Sequence, residues 1–191
     1  MNGTIISKSA ALATESTVLA SVNTALEKLD DGFVYHLTDG ILEKTTTMIP
    51  PEQMFIVENL QDFFYTIKPK VGGNLFVETK ATLSKKTYRV PDLSYFTREQ
   101  IRRGTAGEGD VPSLAIEIIS ENDAFQDVEE KKDLYFSYGV NVVWWILPDS
   151  ECVYVWLSPT DTIFCKGETV CSAENAVENF ALPANAIFRK Q

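Results

Sequence analysis

The sequence predicts an α/β fold built on a mixed β-sheet flanked by helices. Two apolar runs of strand length, residues 114–119 and 140–147, bracket a helical stretch over 123–138, the order of a βαβ-like unit. Hairpin signals on both sides of that unit add antiparallel strands, so the sheet cannot be purely parallel.

The elements follow in chain order. The first eight residues read as loose. Val18, Leu19, Val22, Leu26 and Leu29 recur at helical spacing, so a helix is expected over 14–29, capped by Ser16 or Thr14 and ended by Asp30-Asp31-Gly32. Thr38-Asp39-Gly40 joins strands expected at 33–37 and 41–48 into a hairpin. Pro51 sits just inside the start of a second helix, whose buried stripe is read as Met54, Val57, Leu60, Phe64 and Ile67 and which closes at 68–73. Strands are expected at 75–79, 81–90 and 93–96. Residues 98–110, with three glycines and mixed charge, read as a loop. After the βαβ-like unit, whose helix Gly139 terminates, Pro148-Asp149-Ser150 turns into a closing hairpin of 152–157 and 162–166. The tail has helical potential at 173–180.

Composition narrows the function. The length, 191 residues, suits one domain spanning 1–191, with 45% apolar and 23% charged residues. Asp and Glu outnumber Lys and Arg 27 to 17, a net charge of −10, which counts against binding DNA through a broadly basic surface. It leaves room for a nuclease whose metal supplies charge locally. Three cysteines, Cys152, Cys165 and Cys171, without metal-type pairing read as reduced, partly buried thiols, not a zinc site. A lone histidine, His36, excludes histidine-rich metal centres. No signal-peptide pattern or membrane-length apolar run is visible, so a cytoplasmic protein away from membranes is expected.

Glu117 is the ionisable side chain that most needs a reason, because it interrupts an apolar, centrally placed strand. An unpaired buried carboxylate costs several kcal/mol, so it is protonated, paired or metal-bound, unless the strand end opens to water. Pro91 fixes an extended approach to Asp92 at the head of a neighbouring strand; Asp92 serves either as a local turn cap or as a second ligand. On adjacent strands the two carboxylates would share a face and suit Mg²⁺ or Mn²⁺. Asp127, Lys131 and Tyr135, spaced by four, occupy one helix face; alone this is also the pattern of a surface ion pair.

Taken together, VPDLSYF, PSLAIEIIS, the D-x-x-x-K-x-x-x-Y helix from Asp127 to Tyr135 and GVNVVWWILPD resemble the bacterial putative restriction endonuclease domain family of the PD-(D/E)XK nuclease superfamily. The match is strongest over 90–150, and the Asp39-Gly40 hairpin and the LPANAIF near the end fit its two ends. The resemblance implies a restriction-endonuclease-like mixed β-sheet flanked by helices. It implies a metal-dependent endonuclease that hydrolyses nucleic-acid phosphodiesters. Asp92 and Glu117 would bind Mg²⁺ or Mn²⁺, with the Ile118 carbonyl completing the shell. Lys131, not Lys132, would replace the lysine absent at Ile119 and orient or help deprotonate the attacking water. DNA is the expected substrate, and a homodimer would reach both strands of a duplex.

The chain departs from the family pattern at His36, where a glutamate is common, at Gln53 near a frequent histidine, and at Ser113 in place of a frequent aspartate. These departures, with the acidity, keep a second reading open: a nuclease-like fold that binds or regulates with little hydrolysis. A basic strip drawn from Lys68, Lys70, Lys80, Lys85, Lys86, Arg89, Arg98, Arg102 and Arg103 beside the site would favour nucleic acid. Tyr135, Tyr138, Trp144 and Trp145 read as core.

Overall fold

Strands β7 (Leu114–Ile118) and β8 (Val142–Leu147) lie side by side in parallel, connected by helix α3 (Phe125–Ser137). This is the βαβ-like unit expected from the sequence, and it forms the centre of a six-stranded sheet. On one side β8 pairs antiparallel with β9 (Cys152–Ser158), which pairs with β10 (Asp161–Lys166). On the other, β7 pairs antiparallel with β6 (Leu93–Phe96), which pairs with β3 (Asn74–Val77). The computed structural model describes residues 34–45, 49, 51–106, 110–121 and 123–190; the helix expected at 14–29 lies outside them.

A second sheet has the order β2-β1-β5-β4, from β1 (Val34–Thr38), β2 (Ile41–Thr45), β4 (Ala81–Ser84) and β5 (Thr87–Arg89). The β1–β2 turn places Asp39 and Gly40 at φ 48° and 85°, the left-handed backbone that an Asp-Gly pair tolerates in a two-residue hairpin. The strand expected over 81–90 is two strands, because Lys85 and Lys86 form a tight turn in which the Ser84 hydroxyl accepts from the Lys86 N–H.

The remaining elements are α1 (Met54–Val71), entered through a short 3₁₀ turn at Pro51–Gln53, α2 (Arg98–Thr105), the paired β11 (Val170–Ser172) and β12 (Ala181–Pro183), and α4 (Ala184–Ile187). Three expectations need correction. The buried stripe of α1 is Ile56, Leu60 and Phe64, not one starting at Met54, which is 60% exposed. Asn59 sets this rotation by donating to the carbonyls of Ile187 and Arg189, so the helix turns that face toward the chain's end. The helix also runs through Pro69 to Val71, since Pro69 and Tyr65, the residue whose carbonyl loses its partner, both lie on the exposed side.

Residues 98–105 are helical rather than loop. Thr97 and Gln100 form a capping box, each side chain bonding the other's backbone N–H, which offsets the poor propensity of a segment containing Gly104. In contrast, 173–180 is a series of turns. Pairing of Ser172 with Ala181 draws its ends to about 5 Å, whereas an eight-residue helix would hold them about 12 Å apart.

Strand alternation sorts the core onto two faces of the large sheet. Leu114, Ile116, Trp144, Ile146 and Val155 pack with Ile56, Leu60 and Phe64 of α1 and with the C-terminal segment. Ala115, Val143 and Trp145 face α3, meeting Val128 and Tyr135. Glu117 belongs to the α3 face by the same alternation. Each fully buried Leu, Ile or Phe contributes about 1.5–3 kcal/mol, so both faces anchor β7 firmly.

Gly73, at φ +63°, leads into β3 where a Cβ would come 2.4 Å from the Phe96 carbonyl oxygen and 2.7 Å from the Tyr95 hydroxyl. Gly73→Ala is expected to cost about 2–4 kcal/mol in a denaturant melt, combining left-handed strain with overpacking. Gly104→Ala, inside α2 with nothing within 4 Å of its Cβ, should be neutral or stabilise by about 0.5–1 kcal/mol. Equal effects at the two positions would refute this account of the Gly73 turn.

Candidate active site

The antiparallel register pairs Leu93 with Ile116 and Ser94 with Ala115, so one step further places Asp92 opposite Glu117. Both carboxylates therefore emerge at the same end of neighbouring strands, on the face covered by α3. Pro91 is buried and fixes the extended entry to β6. Asp92 is locked on the β7 side, where its Oδ2 accepts a 2.6 Å hydrogen bond from the Ile118 N–H. The amide that Asp92 caps is not one of a local turn, as the sequence allowed, but that of Ile118 on the neighbouring strand.

Glu117 is 7% exposed, and each of its oxygens has a partner. The Tyr135 hydroxyl donates to Oε1 at 2.6 Å, and Lys131 Nζ lies 3.6 Å from Oε2. Lys131 and Tyr135 stand one helical turn apart on α3, which is why spacing by four brings both onto the carboxylate. Lys132 points elsewhere. Its ammonium bonds Glu129 at 2.9 Å and the Pro159 carbonyl at 3.1 Å, and lies 4.1 Å over the Trp156 ring. Asp127, the third residue of the sequence pattern, is exposed and lies outside the cavity.

Asp92, Glu117, Ile118, Ile119, Asp123, Val128 and Lys131 enclose a cavity of about 20 Å³, room for an ion or a water. Asp123 is a residue that sequence reading treated only as the start of a helix. Its Oδ2 accepts from both the N–H and the hydroxyl of Ser120, so Ser-x-x-Asp after an apolar strand is the signal for this turn.

Electrostatics of the site follow from two carboxylates sharing little solvent. Burial, and next the charge of Glu117, push the Asp92 carboxyl up to about 8, against the opposing pull of the Ile118 amide and Lys131. Glu117, and then Asp92 and Asp123, hold the Lys131 ammonium above its usual range despite burial. Burial and Glu117 raise the Tyr135 phenol well above its ordinary value, so it remains a donor. Two carboxyl groups forced together in a small space fit a divalent cation, which would displace the proton that Asp92 otherwise keeps. Among the described residues no set of three or more His, Cys, Asp or Glu gathers as a metal site.

Of the residues at which the chain departs from the family pattern, only His36 feels the charge of this centre, through Lys131. His36 is buried in β1, and its Nδ1 accepts from the Val90 N–H at 3.3 Å, two residues before Asp92. Burial, Lys131 and Arg89 lower it to about 3, so it is a neutral imidazole. Ser113 is buried beside Gln100, and Gln53 ends the 3₁₀ turn before α1. Of the nine candidate strip residues, Arg89 is buried and bonds the carbonyls of Leu37 and Tyr88, while Arg102 and Arg103 pair with Glu99 and Asp110. The three cysteines are buried free thiols.

Asp92 keeps its proton to a higher pH when folded than when unfolded, from 3.8 up to about 8. Between those values the folded state binds more protons, so stability falls as pH rises, and the full penalty is present above about pH 8. Metal-free protein should therefore melt lower at about pH 8 than at about pH 5. Asp92→Asn should flatten that slope and raise the melting temperature at about pH 8 by on the order of 5 °C. Mn²⁺ should restore the wild type at that pH and leave the variant unmoved. Parallel pH profiles for the two proteins would refute the buried-pair assignment.

Known proteins can be set beside this geometry. No curated protein matches the chain. Among solved structures, the chain superposes on a protein from Anabaena variabilis ATCC 29413 described as a putative nuclease belonging to DUF820, with a TM-score of 0.68. That match has 20% sequence identity and covers 81% of this chain and 89% of the other, a likeness of fold. The family model Uma2, described as putative restriction endonuclease, matches residues 24–185, which include both sheets and every residue of the cavity. This chain belongs to the Uma2 family, and its α/β fold is of the restriction-endonuclease-like kind that its sequence resembled.

Proposed function

We propose that this chain is a metal-dependent endonuclease that hydrolyses phosphodiester bonds of DNA. The observation that carries the proposal is the facing of Asp92 and Glu117 across β6 and β7, with Lys131 Nζ 3.6 Å from Glu117. Membership of a family described as restriction endonucleases supports the choice of nucleic acid over other phosphoesters.

In this reading Asp92 and Glu117 would hold Mg²⁺ or Mn²⁺, which when bound would supply Lewis acidity toward a phosphoryl oxygen and lower the pKa of a water. The chain's own residues do the positioning. The Ile118 N–H fixes the direction of Asp92, and Tyr135 fixes the rotamer of Glu117. Such outer partners commonly govern metal affinity by 10–100-fold. Lys131, held as an ammonium by Glu117, donates to the attacking water or to a phosphoryl oxygen and stabilises the charge that develops there. It acts as a cation rather than as a base.

Strand β10 is an edge of the main sheet with Ile163 and Phe164 44% and 52% exposed. A homodimer formed along this edge would bring two sites to a duplex. The second reading, a nuclease-like protein that binds without cutting, draws on the net charge of −10 and on the pairing of Arg102 and Arg103 with acids.

Calorimetric titration with Mn²⁺, alongside assays on plasmid and single-stranded DNA, separates these readings. Wild type should bind Mn²⁺ and cleave, and Glu117→Gln should lose both. Lys131→Ala should keep the metal but cleave about 10²–10³-fold more slowly. Metal binding without cleavage would move the function to the second reading. A wild type that binds no Mn²⁺ at millimolar concentration would remove the metal site altogether.

A further inference from the structure

We propose that a separate aromatic cleft beside the carboxylate cavity receives an unstacked nucleobase of the strand whose phosphodiester is cut. The inference rests on the nuclease reading and specifies its substrate: a strand with at least one base free of its stack.

The cleft measures about 380 Å³ and shares Ile119, Asp123 and Val128 with the carboxylate cavity. Its aromatic walls are Phe125, Trp145, Tyr154 and Trp156. Sites for small ligands run from about 300 to 1,000 Å³, so this one is near the lower end, the size of a single nucleoside rather than of a duplex or a helix. Because these three lining residues are common to both spaces, a base in the cleft and the phosphate attached to its sugar fit one continuous surface.

Phe125 is the clearest sign of a missing stacking partner. It opens α3 and is 74% exposed, yet it stands edge-on to Trp145, with ring centroids 6.4 Å apart and planes at 80°. Behind it the rings are closely packed. Trp145 and Trp156 meet at 4.9 Å and 63°, and Lys132 braces both rings with its buried ammonium, 4.1 Å over Trp156 and 5.6 Å over Trp145. A nearly fully buried lysine used as a brace gives the rings fixed orientations, which a flat heterocycle can exploit.

The polar lining decides which part of a nucleotide enters. Among the described residues no Lys or Arg lines the cleft, and its non-aromatic polar side chains are Asp123, Glu129 and Thr162. Glu129 is held by the Lys132 ammonium, whereas Asp123 repels a phosphate and can accept hydrogen bonds from the ring and exocyclic N–H groups of a base. The phosphate is thus directed to the neighbouring cavity, where Lys131 lies, and the base to the aromatic side.

The test uses full-length protein without Mg²⁺ or Mn²⁺ and a short single-stranded DNA carrying one 2-aminopurine, compared with the same strand carrying an abasic residue there. Stacking should quench the 2-aminopurine emission on binding, and the abasic strand should bind about tenfold more weakly. Phe125→Ala, at an exposed position, should weaken 2-aminopurine strand binding about tenfold, and Phe125→Tyr, which preserves a stacking ring, should restore it. Equal binding of the two strands, unchanged emission, or no binding of either would overturn the proposal. Plasmid cleavage with Mn²⁺ is read in parallel. Cleavage with no Phe125 dependence anywhere would sink the cleft and leave the nuclease; Phe125-dependent quenching without cleavage would do the reverse.

Discussion

The organisation of this molecule turns on one unfavourable pairing, two carboxylates brought face to face where β6 meets β7. Fully ionised and left alone, that pair would drive the strand ends apart. Three contacts hold it: the Ile118 N–H on Asp92, and the Tyr135 hydroxyl and Lys131 ammonium on Glu117. All three depend on larger features. The Ile118 amide is available because β7 ends there, and Tyr135 and Lys131 arrive because the parallel β7–α3–β8 crossover folds α3 back over that face. The most apolar part of the chain is thus the scaffold for its most polar cluster.

Much of this was legible in the sequence, for a definite reason. Buried parallel strands have no polar face, so Glu117 within LAIEI stands out as a cost that something must offset. Period-four spacing on α3 survives folding because a helix is rigid over one turn, which is why Lys131 and Tyr135 reach Glu117 together. Asp127, one turn earlier, obeys the same periodicity but lies beyond the edge of the cavity, and spacing alone holds no information about where a face ends.

What escaped the sequence depends on distant contacts or on short-range hydrogen bonds that composition hides. The rotation of α1 is dictated by Asn59, a polar residue whose partners lie some 130 positions away at Ile187 and Arg189. The helix at Arg98–Thr105 exists because of a reciprocal cap, though its glycine and charges look like a loop. The tail fails to form its helix because strand pairing draws its ends together. In each case local propensity pointed one way, and a few specific bonds decided the other.

The acidity of the chain, an obstacle to nucleic-acid binding at first sight, has a consistent place in this arrangement. A protein that held DNA by neutralising many phosphates would need a broad cationic face, and here Arg102 and Arg103 are paired with acids while Arg89 is buried. A site that relies instead on one divalent ion at the scissile phosphate and on stacking of one base needs little net positive charge. Under the proposed reading Asp92 and Glu117 would hold the ion while Asp123 turns a phosphate away from the aromatic cleft, so part of the acidity would narrow the substrate instead of excluding it.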